Sequence, residues 1–150
     1  PQNWEIVAQA YWENREYGKA AVAYAKSPRT PRNLYRWGRG LQLSTKQSQA
    51  ISIYKQLLAA FPNAEESGMA LMRLARISKP AEATAYLDRI VNNFPKQAGE
   101  ALVAKANLLD SLNSKQSAAK ARQLLLDKYG DSAAAAEYRW QVAQQKAANK

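Results

Sequence analysis

Apolar side chains recur every three or four positions along almost the whole chain. Trp4, Val7, Ala8 and Tyr11 form one such stripe and Leu34, Trp37, Gly38 and Leu41 a second. Ala70, Leu71 and Leu74 form a third, and Leu102, Ala106 and Leu109 a fourth. This is the period of a helix that buries one face. Runs rich in Val, Ile and Thr, which strands favour, are nearly absent, so the pattern predicts an all-α chain of about nine helices. Their expected spans are 2–15, 17–26, 31–43, 47–61, 64–77, 80–94, 97–112, 115–129 and 132–148. Local punctuation supports these limits. Thr30 before Pro31 is an N-cap followed by proline at the first helical position, where the missing N–H is not needed. Ser44 with Gln47 and Asn63 with Glu66 have capping-box spacing. Lys79-Pro80, Ser114 and Asp131 are expected to open the later helices.

The stripes belong to a repeat. Ala20, Ala50, Ala83 and Ala118 fall at spacings of 30, 33 and 35, and four residues after each come Tyr24, Tyr54, Leu87 and, out of pattern, Arg122. Leu57, Ile90 and Leu125 follow, and then Pro62, Pro95 and Gly130 as terminators. The segment LLAAFPNAEESGMAL at 57–71 returns as IVNNFPKQAGEAL at 90–102, and more weakly as LLLDKYGDSAAAAEY at 124–138. Each unit is therefore a helical hairpin, at about 2–28, 31–62, 64–95 and 97–130, with a closing helix at 132–148. The small residues Ala8, Gly38 and Ala106 let paired helices approach closely.

Trp4, Val7, Ala8, Tyr11, Ala20 and Tyr24, and then Leu34, Trp37, Gly38, Leu41, Ala50, Tyr54, Leu57 and Pro62, resemble two tetratricopeptide units. The later units depart from that pattern at Lys105 and Arg122, where large or apolar side chains are usual; those positions are either more exposed or one residue out of register. The wording of EYGKAAVAYAKS, TPRNLYRWGRGLQL, FPNAEESGMALMRLA, FPKQAGEAL and DSAAAAEYRWQVA is similar to the helical repeat region that precedes the catalytic domain of soluble lytic murein transglycosylases. The resemblance covers most of the chain. It implies a tetratricopeptide-like α-solenoid with a right-handed superhelix, in the periplasm or cell envelope, beside a catalytic domain that cleaves peptidoglycan with one glutamate. No segment here matches that lysozyme-like domain.

Composition narrows the chemistry further. The chain has 150 residues, 47% of them hydrophobic, which is enough for a single helical-repeat domain with a core of its own. It begins at Pro1 and is still helical in character where it stops, so the expectation is a piece cut from a longer protein. Cysteine and histidine are both absent, which removes thiol nucleophiles, imidazole bases, disulfides and the usual soft metal ligands. Absence of cysteine also suits an oxidising compartment. The paired carboxylates Glu65 and Glu66 sit at an expected helix start, where negative charge is favourable without any catalytic role. The other acids are dispersed. Gly38 and Gly40 follow no strand and form no phosphate loop: Gly38 reads as a packing glycine, and Gly40 as an exposed one that marks a bend. No catalytic residue, cofactor or metal site is expected.

Charge gives the one candidate surface. From Tyr17 to Ala64 there are eight basic residues (Lys19, Lys26, Arg29, Arg32, Arg36, Arg39, Lys46 and Lys55) and no acid. The whole chain carries +10, and this third of it accounts for most of that. On a helix Arg32, Arg36 and Arg39 span an arc of about 60° opposite Leu34, Trp37 and Leu41. A solvated face explains the direction of that stripe but not its single sign, because like charges spaced i,i+4 oppose the helix. Two readings follow: a plain basic surface, or a guide for an anionic partner formed by Arg29, Arg32, Arg36, Arg39, Lys46 and Lys55. The expected partner is peptidoglycan or an acidic protein, together with the remainder of a parent chain.

Nucleic acid is not expected, because the aromatics other than Tyr35 are committed to the core. Membrane insertion is not expected either, for want of an apolar run long enough. Trp4, Trp12, Trp37 and Trp140, with Tyr11, Tyr17, Tyr24 and Tyr54, read as core side chains, although Trp12 cannot share a face with Tyr11. The functional expectation is a non-catalytic, substrate-guiding repeat domain of a peptidoglycan lytic transglycosylase. The alternative is a tetratricopeptide-type adaptor holding an extended peptide.

Overall fold

A computed structural model of the chain describes residues 3–149. Among them are nine helices and no strand: α1 (Trp4–Glu13), α2 (Tyr17–Ala25), α3 (Pro31–Leu43), α4 (Gln47–Ala60), α5 (Glu65–Ile77), α6 (Pro80–Asn93), α7 (Pro95–Ser111), α8 (Lys115–Lys128) and α9 (Ala133–Ala148). Every predicted helix is present with its ends within two residues, apart from the expected start at residue 2, which lies outside the described residues.

The caps show why. Thr30 accepts from the Asn33 amide at 3.1 Å with Pro31 at the first position of α3, and Lys79 and Pro80 open α6 in the same way without a side-chain bond. Phe94 ends α6 and begins α7 at once, so Pro95 starts a helix as well as stopping one. Three cap assignments change. Ser44 does not open α4; its hydroxyl donates to the Gly40 and Leu41 carbonyls at the end of α3, and Lys46 takes the N-cap position. Ser132 rather than Asp131 caps α9, accepting from the Ala135 amide. Asn63 lies outside the cap of α5, which begins at Glu65 directly after Ala64.

The turns after α1, α3 and α7 are alike. Arg15, Thr45 and Asn113 have φ of 60°, 65° and 60°, in the left-handed region. The following amides, of Glu16, Lys46 and Ser114, donate back to Tyr11, Leu41 and Leu109 at 2.9, 2.8 and 2.8 Å. This is the six-to-one closure that ends a helix through a left-handed residue, usually a glycine. Here an arginine, a threonine and an asparagine occupy the position, and β-branched Thr45 fits it least well.

The chain divides into two units, Pro1–Ile77 and Ser78–Lys150. In the first, α3 packs on α2, α4 and α5. In the second, α7 packs on α6, α8 and α9. The predicted repeat positions form the two cores: Ala20, Tyr24, Ala50, Tyr54 and Leu57 in the first, and Ala83, Leu87, Ile90, Ala118 and Leu125 in the second, all buried. Each large side chain among them contributes about 1.5–3 kcal/mol by leaving water.

Lys105 and Arg122 are in register after all. Lys105 of α7 pairs with Asp88 of α6 at 2.6 Å. Arg122 of α8 reaches back across its hairpin to Asp110 and to Asn107 of α7. It therefore makes the bond that Tyr54 makes to Gln42, also twelve residues back. The hydrogen bond from Arg122 holds the exposed Asp110 carboxyl below its ordinary value.

Three aromatic or glycine assignments are corrected. Tyr35 is not off the core but 8% exposed, and Trp140 is not in the core but 59% exposed. Gly40 is buried rather than exposed: a Cβ there would meet the Tyr17 carbonyl oxygen at 2.8 Å and the Ala21 methyl at 3.1 Å. Gly38 is the packing glycine expected, with the Tyr54 ring 2.6 Å from the same imagined atom.

These geometries give two expectations. Gly40→Ala should destabilise the chain by about 1–3 kcal/mol through overpacking against backbone, despite a helix-propensity gain of up to about 1 kcal/mol. Gly18→Ala, whose new atom would meet nothing closer than 3.6 Å, should be neutral or mildly stabilising. Urea denaturation of the two variants distinguishes them, and equal effects would contradict the close approach. Thr45→Gly should raise stability by about 1 kcal/mol, since glycine occupies the left-handed region without strain.

Candidate anion-binding surface

Thr30 and Pro31 fix the start of α3 and so fix the direction of every basic side chain along it. Arg29, one residue before the cap, folds back over the end of α2. Its Nη1 donates to the Ala25 and Ser27 carbonyls at 2.9 and 3.0 Å, and its guanidinium lies 4.6 Å from the centre of the Trp37 ring. A cation at a helix C-terminus is worth about 0.3–1 kcal/mol and a surface cation–π contact about 0.5–1 kcal/mol. Arg29 is thus a structural cap.

Arg32 approaches Glu5 of α1 at 3.9 Å and is exposed, a pairing worth under about 1 kcal/mol. The same carboxylate oxygen accepts from buried Asn33 at 2.6 Å, and Asn33 also donates to the Pro28 carbonyl at 2.9 Å. Arg36 is half-buried, donates to the Tyr24 hydroxyl at 3.0 Å and lies 5.2 Å from the Trp12 ring centre. Trp12 in turn stands edge-on to Tyr17 and Tyr24, at 5.2 and 6.3 Å. The aromatic that could not share a face with Tyr11 therefore serves as a floor for an arginine.

Arg39 differs from these three. It is half-buried on the outward strip of α3, near enough to Tyr54 for its charge to act on the phenol, and no described carboxylate lies within ion-pair distance of it. Arg73 of α5 joins it there, with Nε donating weakly to the Tyr35 hydroxyl at 3.4 Å and no ion pair of its own. Tyr35 and Tyr54 pack with ring centres 6.1 Å apart. Two guanidiniums without acid partners thus flank two phenols. The sequence reading missed Arg73 because it followed the acid-free segment, which ends at Ala64; the signal was the repeat, which returns α5 to the side of α3.

Lys46 and Lys55 do not join the stripe. Lys46 borders a groove of about 290 Å³ together with Lys26, Trp37, Leu41 and Ser44. Those α3 positions lie about 120–180° around the helix from Arg32. Lys55 is exposed on α4, about 140° from the centre of that helix's buried face. Of the six candidates, Arg32, Arg36 and Arg39 share one strip, Arg29 is a cap, and the two lysines face elsewhere.

The carboxylates have local partners: Glu13 accepts from Gln9, Glu16 from Asn14 and Lys19, Asp127 from Gln123, and Glu137 from Gln141. Among the described residues no group of three or more acids could hold a metal ion, and no helix is long and apolar enough to cross a membrane. No protein-family model matches the chain, and comparison with curated proteins finds no similar one.

Burial, with the Tyr35 phenol beside it, pushes the Tyr54 hydroxyl well above its ordinary value of 10, against the pull of Arg39 and Arg73. The unfolded chain loses this proton first, so the folded state's advantage is complete below that ordinary value and declines as pH rises through it. The urea midpoint of the protein should fall between about pH 9 and about pH 11, and the fall should be shallower in Tyr54→Phe. Identical pH slopes in the two proteins would remove Tyr54 as a cause.

Proposed function

We propose that the chain is a non-catalytic helical-repeat domain that guides an anionic partner along the outward strip of its first unit, and that the partner is a peptidoglycan strand. In this reading the hairpins stack as a tetratricopeptide-like solenoid with a right-handed superhelix, in the periplasm or cell envelope, and the cleavage itself belongs to a separate domain of a lytic transglycosylase. The observation that carries the proposal is the pair Arg39 and Arg73, half-buried beside Tyr35 and Tyr54 without a carboxylate of their own. A guanidinium presents a planar fork of donors suited to a carboxylate, and stem peptides on a glycan strand supply carboxylates at intervals. The sequence resemblance supplies the choice of polymer.

A second reading, an adaptor for an acidic peptide, draws on the compactness of the same feature. Arg29 and Arg36 donate to neutral groups of their own unit and Arg32 approaches Glu5, so the guanidinium donors left for a ligand are concentrated at two arginines rather than spread along a tract.

Co-sedimentation with purified peptidoglycan tests the proposal. The wild-type chain should pellet at low salt and be released at high salt, since exposed charges are screened over about 10 Å at 0.1 M. A variant carrying Arg36→Gln, Arg39→Gln and Arg73→Gln, checked for unchanged helicity, should lose affinity by about tenfold or more. A wild-type chain that stays in the supernatant sinks the proposal, and retention of a glutamate-rich peptide in that case favours the adaptor.

A further inference from the structure

The departure from the repeat at Lys105 bears on a groove of the second unit. Aligning Leu102, Ala106 and Leu109 of α7 with Leu34, Gly38 and Leu41 of α3 puts Lys105 at the place of Trp37. Beside Trp37, whose ring centre lies 4.6 Å from the Arg29 guanidinium, the groove of the first unit holds about 290 Å³. Beside Lys105, where a slim stem replaces the indole, the matching groove between α6, α7 and α8 holds about 410 Å³. A volume of this order lies within the range of sites that take small ligands.

Two helical stripes face each other across it. Ser117, Lys120, Ala121 and Leu124 of α8 form one, about 10 Å long, and Leu102, Lys105 and Leu109 of α7 form the other. Thr84, whose hydroxyl is taken up by the Pro80 carbonyl at 2.9 Å, closes the α6 side. The apolar part is open to solvent, since Leu124 is 39% exposed and Leu109 half-buried. The polar part consists of donors. Lys120 has no ion pair and Ser117 no side-chain hydrogen bond among the described residues. Lys105 gives one of its three donors to Asp88 at 2.6 Å and keeps two. No acid lines the groove, so with Lys105 balanced by Asp88 it carries one positive charge, that of Lys120.

We infer that this groove binds a medium-chain alkyl carboxylate, with its head at the Ser117–Lys120 turn and its chain along Ala121 and Leu124 against the leucines of α7. A single negative charge matches the one unbalanced cation. The Ser117 hydroxyl and the spare donors of Lys105 can satisfy the remaining lone pairs of a carboxylate, which only accepts. The chain in turn takes from water the leucine surface that the fold leaves open. An acidic peptide fits less well, because it brings several charges to one lysine and a polar backbone to a wall of leucines that cannot bond it. The site is independent of the anion surface on the first unit.

The test is an NMR titration of the whole chain with sodium octanoate, following the methyl signals of Leu102, Leu109 and Leu124. A saturable shift with a Kd on the order of 1 mM is expected. From butanoate to octanoate each added methylene should tighten binding about twofold to fourfold. Lys120→Gln and Leu124→Ser each change an exposed side chain, and each should weaken octanoate binding about threefold to fivefold. Octyltrimethylammonium, with the same chain and the opposite charge, should bind at least about tenfold more weakly. Both variants should still pellet with peptidoglycan as the wild type does, so failure here and failure of the guiding role are separate results. The inference is overturned if octanoate gives no saturable shift up to about 20 mM. It is equally overturned if either variant leaves the affinity unchanged or if the ammonium amphiphile binds as well as the carboxylate. Vesicles of anionic phospholipid that pellet the wild-type chain but not Lys120→Gln would overturn it in favour of a membrane surface.

Discussion

The close approach of α3 to its neighbours governs the first unit. Gly38 lies beneath the Tyr54 ring and Gly40 against the backbone of α2, at separations that no Cβ could share. With Asn33, Leu34, Tyr35 and Leu41 also buried, α3 is enclosed around most of its circumference. Charged side chains on such a helix have one strip left to them. Arg32, Arg36 and Arg39 occupy it because the packing leaves no other place, and the resulting crowding of positive charge meets one acid, Glu5 beside Arg32, and otherwise the Tyr24 phenol and the Trp12 indole face beside Arg36.

The two units solve the same hairpin with different polar chemistry. Tyr54 buries a phenol and closes on the carboxamide of Gln42; Arg122, at the matching place, keeps its guanidinium half-exposed and closes on Asp110. The first device adds a large apolar body to the core. The second gives up that body for a charged pair at the surface, where solvent weakens the attraction. A sequence pattern sees the second as a defect in the repeat, whereas the geometry shows one cross-hairpin bond with a change of functional group.

Helix positions were legible because they rest on local signals: the period of the stripes, Thr30-Pro31, and Pro80 after Lys79. The turns were not. Their left-handed residue is normally announced by glycine, and here it is Arg15, Thr45 and Asn113, so Ser44 was read as opening α4 when it closes α3. Gly40 was misplaced for a related reason, since a residue without a side chain contributes nothing to a hydrophobic stripe and declares its burial only through a neighbour. The arginine stripe was visible as a direction, but its partners Glu5 and Tyr24 lie on other helices, and Arg73, 38 residues from the Tyr35 hydroxyl it meets, is announced by the repeat and not by the run of basic residues. Trp140 looked like core by residue type, yet its position on α9 leaves it in water.

The placement of the tryptophans gives the molecule an optical asymmetry. Trp4, Trp12 and Trp37 all belong to the first unit, each partly buried and each with a cation over its ring: Lys26 at 4.2 Å, Arg36 at 5.2 Å and Arg29 at 4.6 Å. Trp140 stands alone in the second unit, facing solvent. Indole emission shifts to the red as water relaxes around it. The natural chain therefore carries a blue reporter for one unit and a red reporter for the other, so the melting of each can be followed in a single sample without a label.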